Sequence, residues 1–310
     1  MVYKFGDSVL YEGDTLKLSL SVLEDESVDL LLIDPPYNIG KGEWDTWPTE
    51  QAYQEFLAVV FLEANRVLKK SGSAYIFHQK NSDVYWIGDH ITKTYNWNLK
   101  QFIIWNKYFP ECEREGFLKG YIQEVNKNRN YPQLYENILF FTKQLDYFKN
   151  PFVRIMEENM SRLGLTQTHL SKLVKSKNGT RTGWASTKLR GIQLPTTHQW
   201  EQLCKLFDIE YKYDFLKEQY ESERYYFSPQ GNCHSVWNYS VDWRNSHPTP
   251  KPVELYTNII KHSLKPGGLM VDFFAGSGNI IKAAIQEDSK LITFERDEQY
   301  VKSIVSGCTI

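Results

Sequence analysis

The tetrapeptide Asp34-Pro35-Pro36-Tyr37 combines the residue types with the clearest chemistry in this chain. It follows the apolar run Asp29 to Ile33, which predicts a buried strand, and ligands of open α/β sheets bind beyond the carboxyl ends of strands. The prolines lack N–H donors and have a fixed φ, which leaves their carbonyls as rigid acceptors. Asp34 and the Pro35 carbonyl could therefore accept from an exocyclic amino group of a base, while Tyr37 stacks on its ring. An ordinary strand-to-turn ending is the alternative.

A glycine turn near the end of the chain forms a second candidate site. Leu269 to Phe274 predicts a strand, and Ala275-Gly276-Ser277-Gly278 follows before a helix pattern. Glycines there let the backbone approach a ligand and expose N–H groups at the helix start. Ile281 stands where the dinucleotide fingerprint requires glycine, and the chain lacks a G-x-x-x-x-G-K-[ST] loop, so a pyrophosphate ligand is disfavoured. Glu295 ends the next predicted strand and could accept hydrogen bonds from ribose hydroxyls, although a solvated strand end is the alternative. The glycine turn and Glu295 together indicate a site for a nucleoside cofactor.

Three motifs in this order resemble the amino-methyltransferases of DNA, in the permuted arrangement called the β class. They are D-P-P-Y at Asp34, H-P-T-P-K-P at His247 to Pro252, and D-F-F-A-G-S-G-N at Asp272 to Asn279. The resemblance extends over nearly the whole chain and includes Gly13-Asp14 and the segment Tyr135 to Phe141. Ala275 stands where cysteine is frequent, and Phe294 replaces a usual glycine, but neither change removes a chemical function.

The resemblance implies an adenine-specific DNA methyltransferase that transfers a methyl group from S-adenosylmethionine to the N6 amino group within a specific sequence. Asp at the first position of D-P-P-Y goes mostly with N6-adenine in this family, whereas Ser goes mostly with N4-cytosine. The implied catalytic residues are Asp34, Pro35, Pro36 and Tyr37. The implied cofactor-binding residues are Asp14, His247, Thr249, Lys251, Asp272, Phe273, Phe274, Ala275, Gly276, Ser277, Gly278 and Glu295.

The same resemblance assigns parts of the cofactor to these segments. The turn from Phe274 to Gly278 would bind the methionine moiety, Glu295 the ribose and Asp14 the adenine amino group. The segment from His247 to Lys251 would close over the methionine tail, although His247 could equally be a structural histidine. In-line transfer to an amino group needs no metal and no covalent intermediate, and the cysteine spacing fits no metal site, so we expect neither. Asn38 and Trp44 are further candidates for the pocket wall.

Two other functions also fit the sequence. One is an N4-cytosine or RNA amino-methyltransferase, and the other is a DNA-binding regulator with an inactive catalytic domain.

As partners we expect DNA, a cognate restriction endonuclease from a restriction-modification system, and a second copy of the chain in a homodimer. The DNA sequence that is recognised depends on docking geometry and DNA shape and is not visible in the chain.

A basic segment in the middle of the chain predicts contact with DNA. Residues 160–199 contain no Asp or Glu but seven Lys or Arg residues, which suits a polyanion, although a solvated face is the alternative. Leu163 to Val174 and a later helix pattern with Trp200 resemble a helix-turn-helix of the phage-repressor kind, whose centre is longer than usual. The candidate DNA-binding residues are Lys172, Lys175, Lys177, Arg181, Thr182, Trp184, Ser186, Lys188 and Arg190. Trp184 could instead pack inside the module.

Composition agrees with a globular protein of a reducing compartment. With 310 residues and 41% hydrophobic composition, the chain can bury one large core and carry a smaller module. Its four cysteines are too widely spaced for a zinc cluster or a disulfide framework. No signal peptide or apolar run of about eighteen residues is present, so we expect no membrane contact. We expect a cytoplasmic protein of a bacterium or phage, associated with the nucleoid, whose net charge of -2 leaves DNA binding to local charge.

The order of elements predicts an α/β fold. Strand patterns near 8–11, 29–33, 73–77, 101–105 and 138–141 are separated by helix patterns near 50–68 and 82–92, typical of a doubly wound, mostly parallel sheet. Because 32 residues follow Gly278, the last strands must insert beside the first ones to complete a permuted, Rossmann-like methyltransferase sheet. We predict a discontinuous catalytic domain at 1–145 and 235–310 and an inserted, mainly helical, helix-turn-helix-like recognition module at 146–234. The polar segment 107–131 predicts a loop near the cleft.

Overall fold

The computed structural model describes residues 1–123, 131–143, 150–175, 189, 194–230, 233–243 and 247–308, with the side chains of 120–123 excepted. The chain separates into two compact units, one formed by Met1–Lys143 with Tyr226–Ile310 and the other by Gln144–Tyr225. The predicted boundaries lay at 145 and 235, so the second boundary differs by residues 226–234. Among the helices of the described ranges, none has both the length and the apolar character that a membrane span requires.

One sheet forms the centre of the discontinuous unit. Its strands are β1 Val2–Phe5, β2 Ser8–Glu12, β3 Val28–Ile33, β4 Leu68–His78, β5 Asn98–Asn106, β6 Tyr135–Thr142, β7 Val236–Asn238, β8 Leu269–Asp272 and β9 Lys290–Glu295. Within the described residues their order is β1-β2-β9-β8-β3-β4-β6-β5-β7. The neighbours from β2 to β4 run parallel, whereas β1 and β6 are antiparallel to the strands beside them. The predicted mostly parallel α/β sheet is therefore confirmed.

The strands from the end of the chain lie in the middle of this sheet. β8 pairs in parallel with β3, with Leu30 opposite Met270 and Leu32 opposite Asp272. β9 pairs with β8 on one side and with β2 on the other. The predicted insertion of the last strands beside the first ones is confirmed, and it brings the segments after β3 and after β8 to the same edge of the sheet.

Helices cover the sheet and form the second unit. They are α1 Thr15–Val22, α2 Glu50–Val67, α3 Asn81–Tyr95, α4 Glu115–Gln123, α5 Pro151–Leu163, α6 Gln167–Leu173, α7 Thr197–Phe207, α8 Tyr213–Glu223, α9 Val253–Ser263, α10 Asn279–Gln286 and α11 Glu298–Cys308. α4 lies in the segment predicted as a loop, so that prediction is wrong there. Its buried Leu118 supplies an apolar anchor that the polar composition of the segment concealed.

Both faces of the sheet are buried, which explains why β3 is apolar from Leu30 to Ile33. Leu30 and Leu32 belong to a core with α9, α10 and α11, whereas Leu31 and Ile33 belong to a core with α2 and α3. Successive side chains of a strand point to opposite faces, so each face receives every second residue. The strand is thereby held from both sides, and the turn that follows it starts from a rigid base.

The unit Gln144–Tyr225 has a hydrophobic core of its own, formed by α5 to α8. Its fully buried side chains include Phe152, Leu170, Trp200 and Phe207. α6 and α7 both begin with a capping box, in which the side chains of Thr166 and Thr196 accept a backbone N–H of the first turn. These caps satisfy N–H groups that have no partner inside a helix, and so they define where each helix starts.

Candidate active site

A cleft opens at the carboxyl ends of β3, β8 and β9. Asp34 to Tyr37 line it after β3, Phe274 and Gly276 line it after β8, and Glu295 lines it at the end of β9. Parallel strands place their carboxyl ends at one edge of a sheet, where ligands of this kind of fold bind. The segments after β3 and after β8 therefore line one cavity.

The carboxylate of Asp34 is held by two donors. Lys251 Nζ lies 2.8 Å from Oδ1 and 2.7 Å from Oδ2, and the Tyr37 hydroxyl donates to Oδ1 over 2.7 Å. A carboxylate has about four lone-pair positions, and the contacts within the described part of the chain use three of them. Because the Asp34 side chain is still 17% exposed, it can accept a further hydrogen bond from a group in the cleft.

Glu136, near the start of β6, extends this charge cluster. Its Oε2 lies 3.1 Å from the Tyr37 hydroxyl oxygen and 3.4 Å from Lys251 Nζ, while Lys107 Nζ lies 2.5 Å from Oε1. Burial alone would raise the pKa of Glu136, but Lys107 and Lys251 outweigh burial and lower that pKa to about 2. The pKa of Asp34 is raised, because burial and the nearby Glu136 together exceed the effect of Lys251. Two lysines thus balance two carboxylates in a buried setting.

The ring of Tyr37 is turned into the protein. Its exposed fraction is 5%, the His78 ring lies 4.7 Å away between centroids, and Lys251 Nζ lies 4.9 Å from the ring centroid. Because the hydroxyl is tied to Asp34 and Glu136, the ring in this conformation leaves little surface for the base stacking that the sequence suggested for it. The aromatic surface of the cleft comes instead from the half-buried Trp44 and its neighbours.

The loop that follows D-P-P-Y is organised by the buried Asp45. Its carboxylate accepts, over 2.8 to 3.2 Å, from the backbone N–H groups of Asn38, Ile39 and Lys41. Asn38 has a left-handed φ of 55°, and its Oδ1 accepts from the Trp47 N–H over 3.0 Å. The Asn38 side chain therefore shapes the loop, whereas Trp47 forms part of the cleft wall.

The opposite wall of the cleft is built around Gly276 and Glu295. Gly276 has a φ of 51°, and a Cβ on it would lie 3.3 Å from His247 Nε2. The backbone N–H groups of Gly276 and Asp297 each donate to the Glu295 carboxylate over 2.9 Å. Burial raises the pKa of Glu295, although these N–H donors oppose the rise. The arrangement offers a narrow, glycine-lined surface beside a carboxylate.

The structure divides the predicted cofactor residues into two groups. Those that line the cleft are Asp14, His247, Thr249, Phe274, Gly276 and Glu295. Those that do not line it are Lys251, Asp272, Phe273, Ala275, Ser277 and Gly278. No group of three His, Cys, Asp or Glu side chains in the described ranges could hold a metal ion.

Residues of the second group support the turn from behind. Phe273 and Ala275 pack in the two cores, and a Cβ on Gly278, whose φ is 74°, would lie 2.7 Å from Ile304. Asp272 is buried and accepts from the Phe274 N–H over 3.3 Å and from the Thr293 hydroxyl over 3.2 Å. Burial raises the pKa of Asp272 to about 7.

Lys251 lies at the Asp34 carboxylate, not at the position expected for a contact to a methionine tail. Its side chain is almost completely buried, and a buried ammonium needs carboxylate partners, which Asp34 and Glu136 provide. The Lys251 carbonyl accepts from Asn279 Nδ2 over 2.8 Å, which joins this segment to the start of α10. His247 does line the cleft, and burial lowers its pKa to about 4.

Two of the predicted DNA-binding residues lie in the described part of the chain. Lys172 is exposed in the last turn of α6, and the exposed Lys175 follows that helix. The Gln202 side chain fixes the backbone of Lys175, because its amide bonds both the N–H and the carbonyl over 3.1 Å. Outside the described residues lie Lys177, Arg181, Thr182, Trp184, Ser186, Lys188 and Arg190.

Sequence reasoning assigned no role to Lys107, Glu136, Tyr53 or His78. Glu136 offered a signal, since a carboxylate just before the apolar run Ile138 to Phe141 needs a partner if it is buried. Lys107 offered a weaker one, because it lies two residues after a predicted strand. The aromatic wall formed by Trp47 and Phe56 has no motif, and only the packing of α2 beside the cleft reveals it.

The fold and the cleft define an enzyme class that binds a nucleoside cofactor at the carboxyl edge of a parallel sheet and places an acid beside it. The profile of a family described as DNA methylase, with N6 and N4 methyltransferases as members, matches residues 28–306. The chain belongs to this family, and it is a DNA methyltransferase. The cofactor of the family is S-adenosylmethionine.

Individual relatives agree with this assignment. The chain is 28% identical to the DNA adenine methyltransferase YhdJ of Escherichia coli strain K12, over 96% of this chain and 82% of the relative. It is 28% identical to the Type II methyltransferase M1.MboII of Moraxella bovis, over 91% of this chain and 89% of the relative. A solved structure of the cytosine-N4-specific PvuII DNA methyltransferase superposes with a TM-score of 0.55 at 18% identity, over 98% of this chain and 86% of that one. The last likeness concerns the fold alone.

Proposed function

We propose that this DNA methyltransferase methylates the N6 amino group of adenine in a specific DNA sequence and serves as the modification enzyme of a restriction-modification system. The observation that carries the proposal is the Asp34 carboxylate, which lies in the same cleft as Gly276 and Glu295 and retains a position for one more donor. Asp at this position goes mostly with N6-adenine in the family that the motifs resemble. The 28% identical YhdJ is itself named a DNA adenine methyltransferase.

The residues of the glycine turn fit the cofactor. When bound, S-adenosylmethionine supplies an electrophilic methyl group on a positively charged sulfur. Gly276 leaves open the space that a side chain would fill beside His247, which suits the close approach of a methionine chain. Glu295 can accept from ribose hydroxyls, and Asp14 on the cleft wall can accept from the adenine amino group of the cofactor.

Asp34 and the Pro35 carbonyl act on the target amine. The lone pair of an aromatic amine is delocalised into its ring, so the nitrogen is a poor nucleophile until its hydrogens are held out of the ring plane. Two acceptors in fixed positions favour that geometry and stabilise the positive charge that develops on the nitrogen. Lys251 favours the ionised form of Asp34, which can only accept hydrogen bonds. The target base must leave the duplex to reach the cleft.

The unit Gln144–Tyr225 is the proposed target-recognition module. Lys172 and Lys175 are exposed at the end of α6, and the basic segment that follows in the sequence carries the other candidate contacts. The relative M1.MboII is named a Type II methyltransferase, which supports a role for this chain in a restriction-modification system. The homodimer and the endonuclease partner stay predictions.

Transfer of labelled methyl groups tests the proposal. Wild-type protein should label duplex DNA, and nucleoside mass spectrometry should find N6-methyladenine in the product. The variant Asp34→Ala should lose at least about a hundredfold in rate while it still binds S-adenosylmethionine. Asp89→Ala is the matched control, because Asp89 is 61% exposed on α3 and pairs with Lys93. N4-methylcytosine in the product, or unchanged transfer by Asp34→Ala, would contradict the proposal.

A further inference from the structure

A chain of hydrogen bonds behind the D-P-P-Y turn ends on the Pro36 carbonyl. Tyr53, in α2, donates from its hydroxyl to the Pro36 oxygen over 2.7 Å. The same hydroxyl oxygen lies 2.8 Å from Nε2 of His78, the last residue of β4. The Lys80 N–H in turn donates to Nδ1 of His78 over 3.2 Å. Tyr53 and His78 are both fully buried.

The Lys80 contact decides which way each of these bonds runs. Nδ1 of His78 accepts from a backbone N–H, so the proton of the neutral ring is on Nε2. Nε2 therefore donates to the Tyr53 oxygen, and the hydroxyl proton of Tyr53 remains for the Pro36 carbonyl. Burial lowers the pKa of His78 to about 4, which keeps the ring neutral near pH 7. Each link of the chain thus has one donor and one acceptor.

This chain of bonds acts on a torsion that the prolines leave adjustable. The rings of Pro35 and Pro36 fix φ, but they do not fix ψ. A hydrogen bond to the Pro36 carbonyl fixes the plane of the peptide that leads to Tyr37. The same His78 ring lies 4.7 Å from the Tyr37 ring and so supports the next residue of the turn as well.

We propose that Tyr53 and His78 are positioning residues for methyl transfer, which hold the D-P-P-Y turn so that Asp34 and the Pro35 carbonyl meet the target amine together. Neither side chain lines the cleft, so neither touches the cofactor or the base. The inference rests on the proposed function, since it assigns these residues to the acceptor half of that site. Without these hydrogen bonds, the two acceptors of the turn would shift by up to about an ångström. Such a shift lowers the rate of methyl transfer more than it lowers the affinity for the cofactor.

The first test removes the Tyr53 hydroxyl. Tyr53→Phe should lower the single-turnover rate of methyl transfer by about tenfold to a hundredfold, while calorimetry finds the affinity for S-adenosylmethionine within about twofold of wild type. Tyr75→Phe is the matched control, because Tyr75 is equally buried and its hydroxyl lies 2.8 Å from Ser263 Oγ, away from the turn. The control variant should transfer methyl groups at the wild-type rate.

A second test separates the donor at Nε2 from the bulk of the ring. His78→Gln retains an N–H donor near the position of Nε2, whereas His78→Leu retains volume without a donor. Transfer by His78→Gln should therefore be several-fold faster than by His78→Leu at equal cofactor affinity. Equal rates in the two variants, an unchanged rate in Tyr53→Phe, or a loss of rate that merely follows a loss of cofactor affinity would each overturn the inference.

These results are distinguishable from a failure of the proposed function. If wild-type protein transfers no methyl group to adenine in DNA, the proposed function fails before any variant is compared. If wild-type protein does methylate adenine and Tyr53→Phe matches it, the positioning inference alone fails.

Discussion

Lys251 Nζ lies 2.7 Å from Oδ2 of Asp34, although 217 residues separate the two in sequence. The ammonium also lies 3.4 Å from Glu136, whose other oxygen is held by Lys107. The acid that we propose to meet the target amine is therefore part of a four-membered charge cluster. The two lysines oppose the effect of burial on both carboxylates: they lower the pKa of Glu136 to about 2, whereas the pKa of Asp34 stays above its ordinary value.

Replacing Lys251 should impair both catalysis and stability. Lys251→Met removes the positive charge between Asp34 and Glu136, so the pKa of Asp34 should rise further and the acid limb of the rate profile should move to higher pH. Leaving buried carboxylates without their ammonium should lower the free energy of unfolding by about 3 to 5 kcal/mol. The measurements are the pH dependence of single-turnover transfer and urea unfolding.

A surface lysine provides the control for this substitution. Lys261 is 44% exposed and pairs with Glu287, so Lys261→Met should change the free energy of unfolding by less than about 1 kcal/mol and leave the rate profile in place. An acid limb at the same pH in wild type and Lys251→Met would show that the ammonium does not control Asp34.

Asp272 should make the stability of the protein fall as pH rises. Burial raises its folded-state pKa to about 7 from the ordinary 3.8, so between these values the folded protein binds more protons than the unfolded chain. The associated stability is fully present below pH 3.8, declines as pH rises and is lost above about pH 7. Asp272→Asn cannot ionise and should be more stable than wild type at pH 8, by on the order of 4 kcal/mol at most.

Urea unfolding between pH 5 and pH 8 measures this effect. The stability difference between Asp272→Asn and wild type should grow from pH 5 to about pH 7 and level off above that pH. Asp89→Asn, at an exposed position, should show a small difference without such growth. A difference that stays constant with pH would contradict the raised pKa.

Gly276 should be required for cofactor binding more than for folding. Gly276→Ala places a Cβ 3.3 Å from His247 Nε2 inside the cleft, and we expect at least about a tenfold loss of affinity for S-adenosylmethionine by calorimetry. Gly267→Ala is the matched control, because Gly267 also has a positive φ, of 72°, but a Cβ there meets nothing within 4 Å. Both variants carry similar backbone strain, of about 1 kcal/mol. Equal affinities in the two variants would separate Gly276 from the cofactor.

Lys172 and Lys175 should contribute to DNA affinity through phosphate contacts. If each neutralises one phosphate, Lys172→Ala and Lys175→Ala should each reduce the slope of log affinity against log salt by about 1. Fluorescence anisotropy with a DNA duplex at several salt concentrations measures the slope. Lys93→Ala is the control, because Lys93 is 75% exposed on α3 and pairs with Asp89. Unchanged slopes in both Lys172→Ala and Lys175→Ala would remove these two lysines from the proposed interface.

Much of the catalytic fold could be predicted because its signals are local. The apolar runs before Asp34 and before Gly276 mark buried strands, and the permuted motif order requires the last strands to insert beside the first. Segments with weak local signals were missed or misassigned, such as the short edge strands β1 and β7 and helix α4, whose polar composition suggested a loop. In these elements tertiary contacts, more than intrinsic propensity, determine the conformation.

The sequence by itself determined the family, the two motifs of the cleft and the sheet that brings those motifs together. These features could be predicted because strand patterns and motifs depend on residues that are close together in the sequence. The tertiary structure alone decided that Lys251 serves Asp34, that the Tyr37 ring faces inward, and that Tyr53 and His78 hold Pro36. These contacts join residues from distant parts of the chain. Buried donors and acceptors must pair with one another. Which donor meets which acceptor is set only when the core packs, so the sequence pattern does not predict these pairs.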